Sequence, residues 1–279
     1  MKKQRHPSVY KLGAKVATAL LGALALMPFS ASAADYNLLD AADPDLNKQY
    51  VRAAFGQVQN KSFNNADGRK KLLLIGDSQA QDFLNTAQAV GALQGYQIRT
   101  RHIPAQCQPF YGDPKMSGVE SKDEALCAQV DSLTKAKPQI ENADVIVFSS
   151  LWRDWAINHM PQTVVNLGLR DNQQVVIIGR KSFGRISLRH YLRMPMAKRV
   201  TLRNPINAQF LSANKRLGSS FPALNFVDQY ALICGAGQNT CPVFTPEGEL
   251  ISFDGGHLTR EGARFVGEKI FASPALSSL

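Results

Sequence analysis

The sequence predicts an α/β fold: a single doubly wound, flavodoxin-like domain with a parallel sheet of about five strands flanked by helices. Two observations carry this. Runs such as Leu72-Leu73-Leu74-Ile75 and Val175-Val176-Ile177-Ile178 are continuously apolar rather than alternating, as in strands buried on both faces. Between such runs lie segments whose apolar residues recur at helical spacing. No internal repeat or low-complexity linker divides the chain, and 279 residues suit one domain. The composition is 44% hydrophobic and 19% charged, enough for a core, which excludes a wholly disordered chain. Mean hydropathy is -0.18, and no apolar run reaches the roughly 18 residues of a membrane span, so a polytopic membrane protein is excluded.

The N-terminus has the order of an export signal. Lys2, Lys3, Arg5, Lys11 and Lys15 precede the apolar stretch Val16 to Met27, and Ala31-Ser32-Ala33 offers small residues for cleavage after Ala33. Residues 1–33 are therefore expected to be a signal peptide, and the mature protein periplasmic or secreted. Removing them takes five cations and no acid from a formal charge of +10, leaving 27 basic side chains against 22 acidic ones. That mild excess suits an anionic surface or glycan and does not call for nucleic acid. Residues 34–69 are polar and Asn/Asp-rich. They read as an N-terminal extension wrapping the domain, with a short amphipathic helix from Leu46 to Phe55. Residues 70–279 form the main domain.

The elements follow in order. The first strand ends at Gly76. Gln79 to Val90 is helical, with Ala80, Phe83, Leu84 and Ala87 on one side. Tyr96 to Ile103 alternates as a second strand. Residues 104–121, punctuated by Pro104, Pro109, Gly112 and Pro114, form a loop. One helix is predicted over Ser121 to Thr134. Asp144 to Phe148, Gln174 to Gly179 and Leu224 to Val227 are the third, fourth and fifth strands. Helices over Ile206 to Leu217 and Thr259 to Phe271 complete the pattern.

Export changes how Cys107, Cys127, Cys234 and Cys241 read. An even count in an oxidising compartment predicts disulfides, and four cysteines allow three connectivities. The sequence-near pairing, Cys107–Cys127 and Cys234–Cys241, is expected, worth about 3.3 and about 2.5 kcal/mol of chain entropy. No Cys-x-x-Cys or Cys-x-x-His spacing supports a zinc site. No metal or organic cofactor is expected.

The chemistry gathers at two strand-to-helix junctions. Gly76-Asp77-Ser78 directly follows the first strand, and open α/β sheets bind ligands beyond the carboxyl ends of their strands. A serine opening a helix has its own backbone N–H available for a developing oxyanion. Its hydroxyl needs a base. Asp254-Gly255-Gly256-His257 precedes the last helix, and this spacing lets one loop present a carboxylate and an imidazole together. Asp254 orienting His257, and His257 facing Ser78, is the arrangement of acyl transfer.

Leu74-Ile75-Gly76-Asp77-Ser78-Gln79-Ala80, together with Asp254-x-x-His257-Leu258-Thr259, resembles the SGNH/GDSL hydrolase superfamily. Within it the chain is similar to periplasmic SGNH domains fused to integral-membrane acyltransferases that O-acetylate bacterial surface glycans. Gln106-Cys107-Gln108-Pro109, Ser150-Leu151-Trp152 and Glu261-Gly262-Ala263 add to the likeness, which spans residues 70–275. It implies Ser78 as nucleophile, His257 as base, Asp254 as third member, and Asp77 as support for the turn. The superfamily asparagine that donates to the oxyanion is absent, since that place reads Ser149-Ser150-Leu151-Trp152-Arg153-Asp154. The Ser78 amide is the one donor assigned. Gln106, Arg153 or a backbone N–H near Trp152 are candidates for the rest, and Trp152 and Trp155 are candidates to stack on a sugar.

Arg180 to Arg203 carries eight cations and no acid. Arg185, Arg189 and Arg193 would share one face of a helix there, facing an anionic glycan, lipid headgroups or an acidic partner, or forming a solvated lid. The reading is thus an exported serine-dependent acyl-transfer enzyme, an acylesterase or an O-acetyltransferase, acting on cell-envelope glycan. Its partners are an acylated or acceptor glycan and a separate membrane protein donating acyl groups. The alternative is an inactive SGNH-fold glycan-binding protein.

Overall fold

The computed structural model describes residues 37–279, so the expected signal peptide lies outside the described residues. Five parallel strands form the main sheet. They are β1 (Lys70–Gly76), β2 (Tyr96–His102), β3 (Val145–Ser149), β4 (Gln174–Ile178) and β6 (Phe226–Val227), in the order β2-β1-β3-β4-β6. With β6 as the fifth strand, this is the doubly wound order in which the chain reverses direction between β1 and β3. Leu72, Leu73, Leu74 and Ile75 of β1 and Ile146, Val147 and Phe148 of β3 are fully buried, as expected of strands covered on both faces. One face packs with Leu72, Leu74, Val147 and Ile178, the other with Leu73, Ile75, Phe148 and Ile177.

One short helix and one long one open the described chain. A turn of helix, α1 (Leu38–Ala41), leads into α2 (Pro44–Val58), whose N-cap Asp43 accepts from the Asp45 and Leu46 amides. The helix predicted from Leu46 to Phe55 is thus longer at both ends, because Pro44 at its start is compatible with a first turn. Val51 and Phe55 are buried, and α2 packs on α3 (Ser78–Ala89) and on β2. Thr100 of β2 donates its hydroxyl to the Phe55 carbonyl at 2.9 Å, and Asn85 of α3 donates to the Tyr50 and Val51 carbonyls.

The stretch predicted as one helix over Ser121–Thr134 is broken. It holds a 3-10 turn at Ser121–Asp123, then α4 (Glu124–Gln129), and Ser132 then caps a new helix, α5 (Leu133–Asn142), by accepting from the Lys135 amide. Neither α5 nor α6 (Asp154–Asn166) was expected, and each contains a proline, Pro138 and Pro161.

The basic segment is also reorganised. It forms α7 (Leu188–Leu192), α8 (Met196–Arg199) and β5 (Arg203–Pro205), which pairs antiparallel with β7 (Thr240–Pro242). Arg185 precedes α7 and Arg193 caps its end, so no helix aligns Arg185, Arg189 and Arg193 on one face. Tyr191, buried, anchors this segment against Phe244. The chain continues through α9 (Ala208–Ser220), α10 (Gln229–Cys234), α11 (Arg260–Ile270) and α12 (Pro274–Ser277). Cys107 is bonded to Cys127, and Cys234 to Cys241, tying the loop after β2 to α4 and the end of α10 to β7. No helix among the described residues is long and apolar enough to cross a membrane.

Two glycines fix the functional end. A Cβ on Gly76 would lie 1.8 Å from the Ser149 carbonyl oxygen of the neighbouring strand. A Cβ on Gly255 would lie 2.1 Å from the Gly184 carbonyl oxygen, and Gly255 has φ +94°. Both contacts are with backbone, which cannot swing away. Gly76→Ala is expected to cost about 3 kcal/mol or more of unfolding free energy, through overpacking between β1 and β3. A urea midpoint equal to that of the unsubstituted protein would show that the strands can separate at little cost.

Candidate active site

β1 delivers Gly76, Asp77 and Ser78 to the carboxyl edge of the sheet. Asp77 is the N-cap of α3 and Ser78 its first residue. The Asp77 carboxylate is fully used: one oxygen accepts from the Gln79 amide at 2.8 Å, the other from the Ser150 hydroxyl at 2.7 Å and the Leu151 amide at 2.8 Å. It supports the turn. The Ser78 amide, a first-turn N–H, enters no hydrogen bond among the described residues.

The loop before α11 brings the other two side chains. His257 Nε2 lies 2.7 Å from Ser78 Oγ, and His257 Nδ1 lies 2.6 Å from Asp254 Oδ2. Asp254 Oδ1 accepts from the Gly256 and His257 amides, both at 2.8 Å, so the loop is folded around the carboxylate. Phe253 stacks on the imidazole at 5.9 Å. Thr259 caps α11 through the Gly262 amide and holds the helix start against β-bridged residues 250–252.

The electrostatics assign the protons. Burial pushes the Asp254 carboxyl up, but the hydrogen bonds from the His257 ring and from the His257 and Gly256 amides outweigh it and hold the group down at about 2. An ionised carboxylate only accepts, so Nδ1 carries the ring proton. The neutral ring's Nε2 then accepts from the Ser78 hydroxyl. The Asp254 hydrogen bond raises the His257 pKa above its ordinary value; burial opposes this, and the Asp82 and Asp254 charges add to it.

A buried ion pair ties the two halves together. Lys181 and Asp82 have side chains 2% exposed and meet at 2.7 Å. The Lys181 ammonium also donates to Gln79, next to Ser78, and Asp82 accepts from the Leu258 amide, next to His257. Burial pushes the Asp82 carboxyl up, opposed by the Lys181 charge. Sequence reading placed Lys181 in a basic stretch read as facing an anionic ligand or as a solvated lid; its only signal there was position, directly after β4 at the carboxyl edge.

A cavity of about 230 Å³ opens over Ser78, His257 and Asp254, closed by Phe253 and Gln81 and, from α2, by Lys48, Val51 and Arg52. Of the further residues expected in the site, none lines this cavity. Trp152 is 1% exposed and its indole N–H donates to the Ile178 carbonyl at 2.7 Å, so it is a core residue with no face for a sugar. Trp155 packs edge-on against Phe110. Arg153 points to Glu120, at 2.7 Å, and its amide donates to Gln108. Gln106 sits in the turn after β2, outside the cavity lining. Its neighbour Gln108 does the structural work: at φ +55°, it donates to the Ala105 and Leu151 carbonyls, joining the loops after β2 and β3. The cavity's contribution from α2 was missed, although Lys48, Val51 and Arg52 show the i, i+3, i+4 spacing of one helix face.

The model of the SGNH domain, described as fused to AT3 domains, matches residues 44–271. The chain belongs to this family. The match begins at α2, so the helix that walls the cavity is part of the family domain. Among solved structures, the chain is similar to the periplasmic domain of a lipopolysaccharide acetyltransferase from Salmonella ser. Paratyphi A. The TM-score is 0.53 at 16% identity, covering 86% of this chain and 97% of that one, a likeness of fold. The search of curated proteins gives no match.

Two outcomes follow from this geometry. A histidine base works only unprotonated, so kcat/KM for ester turnover is expected to fall with decreasing pH through a midpoint above the ordinary 6.5 of histidine. Asp254→Asn removes the bond that raises it and is expected to move the midpoint down while slowing turnover about 10⁴-fold; an unmoved midpoint would assign the acid limb to another group. Asp82→Asn strands a buried ammonium and is expected to lower unfolding free energy by about 3–5 kcal/mol. Adding Lys181→Met should recover part of that loss in urea unfolding, and no recovery would mean that the two side chains are not energetically coupled.

Proposed function

We propose that this chain is an exported serine-dependent acyl-transfer enzyme acting on ester groups of cell-envelope glycan, with Ser78 as nucleophile, His257 as base and Asp254 as its orienter. The observation that carries the reading is the continuous hydrogen-bond line from Ser78 Oγ through the His257 ring to an ionised Asp254, open to a cavity at the carboxyl edge of the sheet. Membership of a family described by its fusion to AT3 domains supports it, as do two disulfides, which fit an oxidising compartment outside the cytoplasm.

The steps follow from the geometry. Ser78 Oγ attacks the ester carbonyl while its proton passes to His257 Nε2, and Asp254 stabilises the imidazolium. The carbonyl oxygen becomes an oxyanion facing the unused Ser78 amide. Collapse breaks the bond to the sugar oxygen, which takes the proton back from His257 and leaves as an alcohol. The acyl group remains on Ser78. A second hydroxyl then gives its proton to His257 and attacks the acyl carbon, restoring Ser78. Water at that step makes the protein an esterase, and a glycan hydroxyl makes it an O-acetyltransferase. In the second case the acyl carbonyl attacked first belongs to a donor presented by a membrane partner of the AT3 type, and the donor's own oxygen or sulfur takes the proton from His257 and leaves in place of the sugar.

The test is hydrolysis of p-nitrophenyl acetate with fluorophosphonate labelling. Turnover is expected to drop more than about 10³-fold in Ser78→Ala, and the label to sit on Ser78 by peptide mass. A folded protein that neither turns over nor labels would overturn the reading and leave the glycan-binding alternative, which the absent oxyanion asparagine favours.

A further inference from the structure

We propose that the glycan taken by this site is anionic, and that Arg52 and Lys48 of α2 read a carboxylate or phosphate near the reacting ester. The inference deepens the acyl-transfer reading of Ser78 by naming its substrate class, and it rests on that reading for the word ester alone.

Val51 is buried and fixes the rotation of α2, so its neighbours one turn apart, Lys48 and Arg52, face the cavity that holds Ser78 and His257. Arg52 is exposed and makes no hydrogen bond or ion pair among the described residues. Lys48 has one ion pair, with Asp45 at 3.8 Å, and both side chains are largely in water, so that pair is weak and replaceable. The cavity's single carboxylate, Asp254, is consumed by the His257 ring and two amides. The charge left for a ligand is therefore positive.

The second cavity along α2 gives the contrast. Around Tyr50 and Arg260 lies a space of about 440 Å³ whose cations are satisfied: Arg264 pairs with Glu249 at 2.8 Å, and Arg260 stacks over Tyr50 at 4.8 Å. It contains neither Ser78 nor His257. At the Ser78 cavity Arg52 is unpaired and Lys48 only weakly paired, which leaves positive charge there for a ligand.

Size points the same way. At about 230 Å³, the Ser78 cavity is below the ~300–1,000 Å³ that encloses a whole drug-sized ligand, so it takes the acyl-bearing end. Lys48 and Arg52 also line an open depression of about 600 Å³ along α2, which includes the Asp45 carboxylate. The two cations thus stand at the junction, where the residue next to the esterified one would lie in a polymer. A guanidinium with free N–H groups takes either a carboxylate or a phosphate in bidentate fashion.

The test uses binding and turnover side by side. Ser78→Ala protein is titrated calorimetrically with an oligogalacturonate, a phosphorylated mannan oligosaccharide and a neutral cello-oligosaccharide. Affinity for at least one anionic glycan is expected to exceed that for the neutral one at least tenfold at low salt. The difference should disappear in Lys48→Gln/Arg52→Gln; the preferred anionic glycan identifies carboxylate or phosphate. Equal affinity for all three, or a preference that survives the double substitution with intact circular dichroism, overturns the inference. In the Ser78 protein, Arg52→Gln is expected to lower kcat/KM for acetylated oligogalacturonate, or its phosphorylated counterpart, at least tenfold more than for p-nitrophenyl acetate. Equal losses on charged and neutral esters would make Arg52 an oxyanion group and overturn the substrate assignment. Charge-selective binding without any ester turnover would uphold anion recognition while removing the acyl-transfer reading.

Discussion

The arrangement at the sheet's carboxyl edge depends on how one carboxylate is divided. Asp77 caps α3 with one oxygen and holds the start of the loop after β3 with the other. The first bond sets the direction in which the helix leaves β1, and with it where Ser78 stands. The second fixes the neighbouring strand's exit against the same turn. Gly76 makes this possible, since any side chain there would collide with Ser149. Gln108 extends the tie to the loop after β2, adopting a backbone conformation that costs a non-glycine residue about 1–2 kcal/mol and offsetting it with hydrogen bonds to both loops. Three loops from three adjacent strands are thereby joined through buried polar atoms.

Asp254 and His257 reach this platform from the far end of the chain, and a second constraint holds them there. The Lys181–Asp82 pair, buried between α3 and the segment after β4, contacts the residue after Ser78 and the residue after His257. Removing two charges from water is costly, and a hydrophobic pair would pack at less expense. What the ions add is direction: each has a second hydrogen bond, to a residue adjoining Ser78 or His257. α3 is covered by α2 and α11 as well as by the sheet, which is why it carries the buried polar residues Gln79, Asp82 and Asn85.

This explains what the sequence could and could not reveal. The strands were legible because continuous apolar runs have few alternatives, and the parallel sheet followed from their alternation with helices. That Ser78, Asp254 and His257 would meet was legible because each sits in a short turn next to a recognisable strand or helix end, with chemistry unusual for a turn. Two helices were not read at all, and each carries an internal proline, Pro138 and Pro161, which tertiary packing tolerates. Trp152 and Arg153 misled because composition shows a residue's chemistry and not its direction; one is a core side chain and the other is taken by Glu120. Lys181 and Asp82 lie 99 positions apart and have no local signature. Lys48 and Arg52 lie in a segment that reads as an extension, and only folding places it over Ser78.

The charges around the imidazole divide by sign. Asp254 and Asp82 raise its proton affinity, which burial and the Lys181 charge oppose, while Lys48 and Arg52 line the cavity into which Ser78 opens. In the proposed reaction, a proton moves toward the carboxylates and negative charge develops on the substrate side. Both movements run downhill in that field. The field is fixed before substrate arrives, because Asp254 is held by backbone amides and Val51 anchors α2 in the core, so little reorganisation is needed as the charge shifts. With one amide as the assigned oxyanion donor, a preset gradient of this kind is the physical means by which the site can favour the charged intermediate. It also sets a limit. Neutralising the cations with a bound anionic group weakens the gradient, so the anion must lie to the side of the carbonyl, toward the open depression along α2.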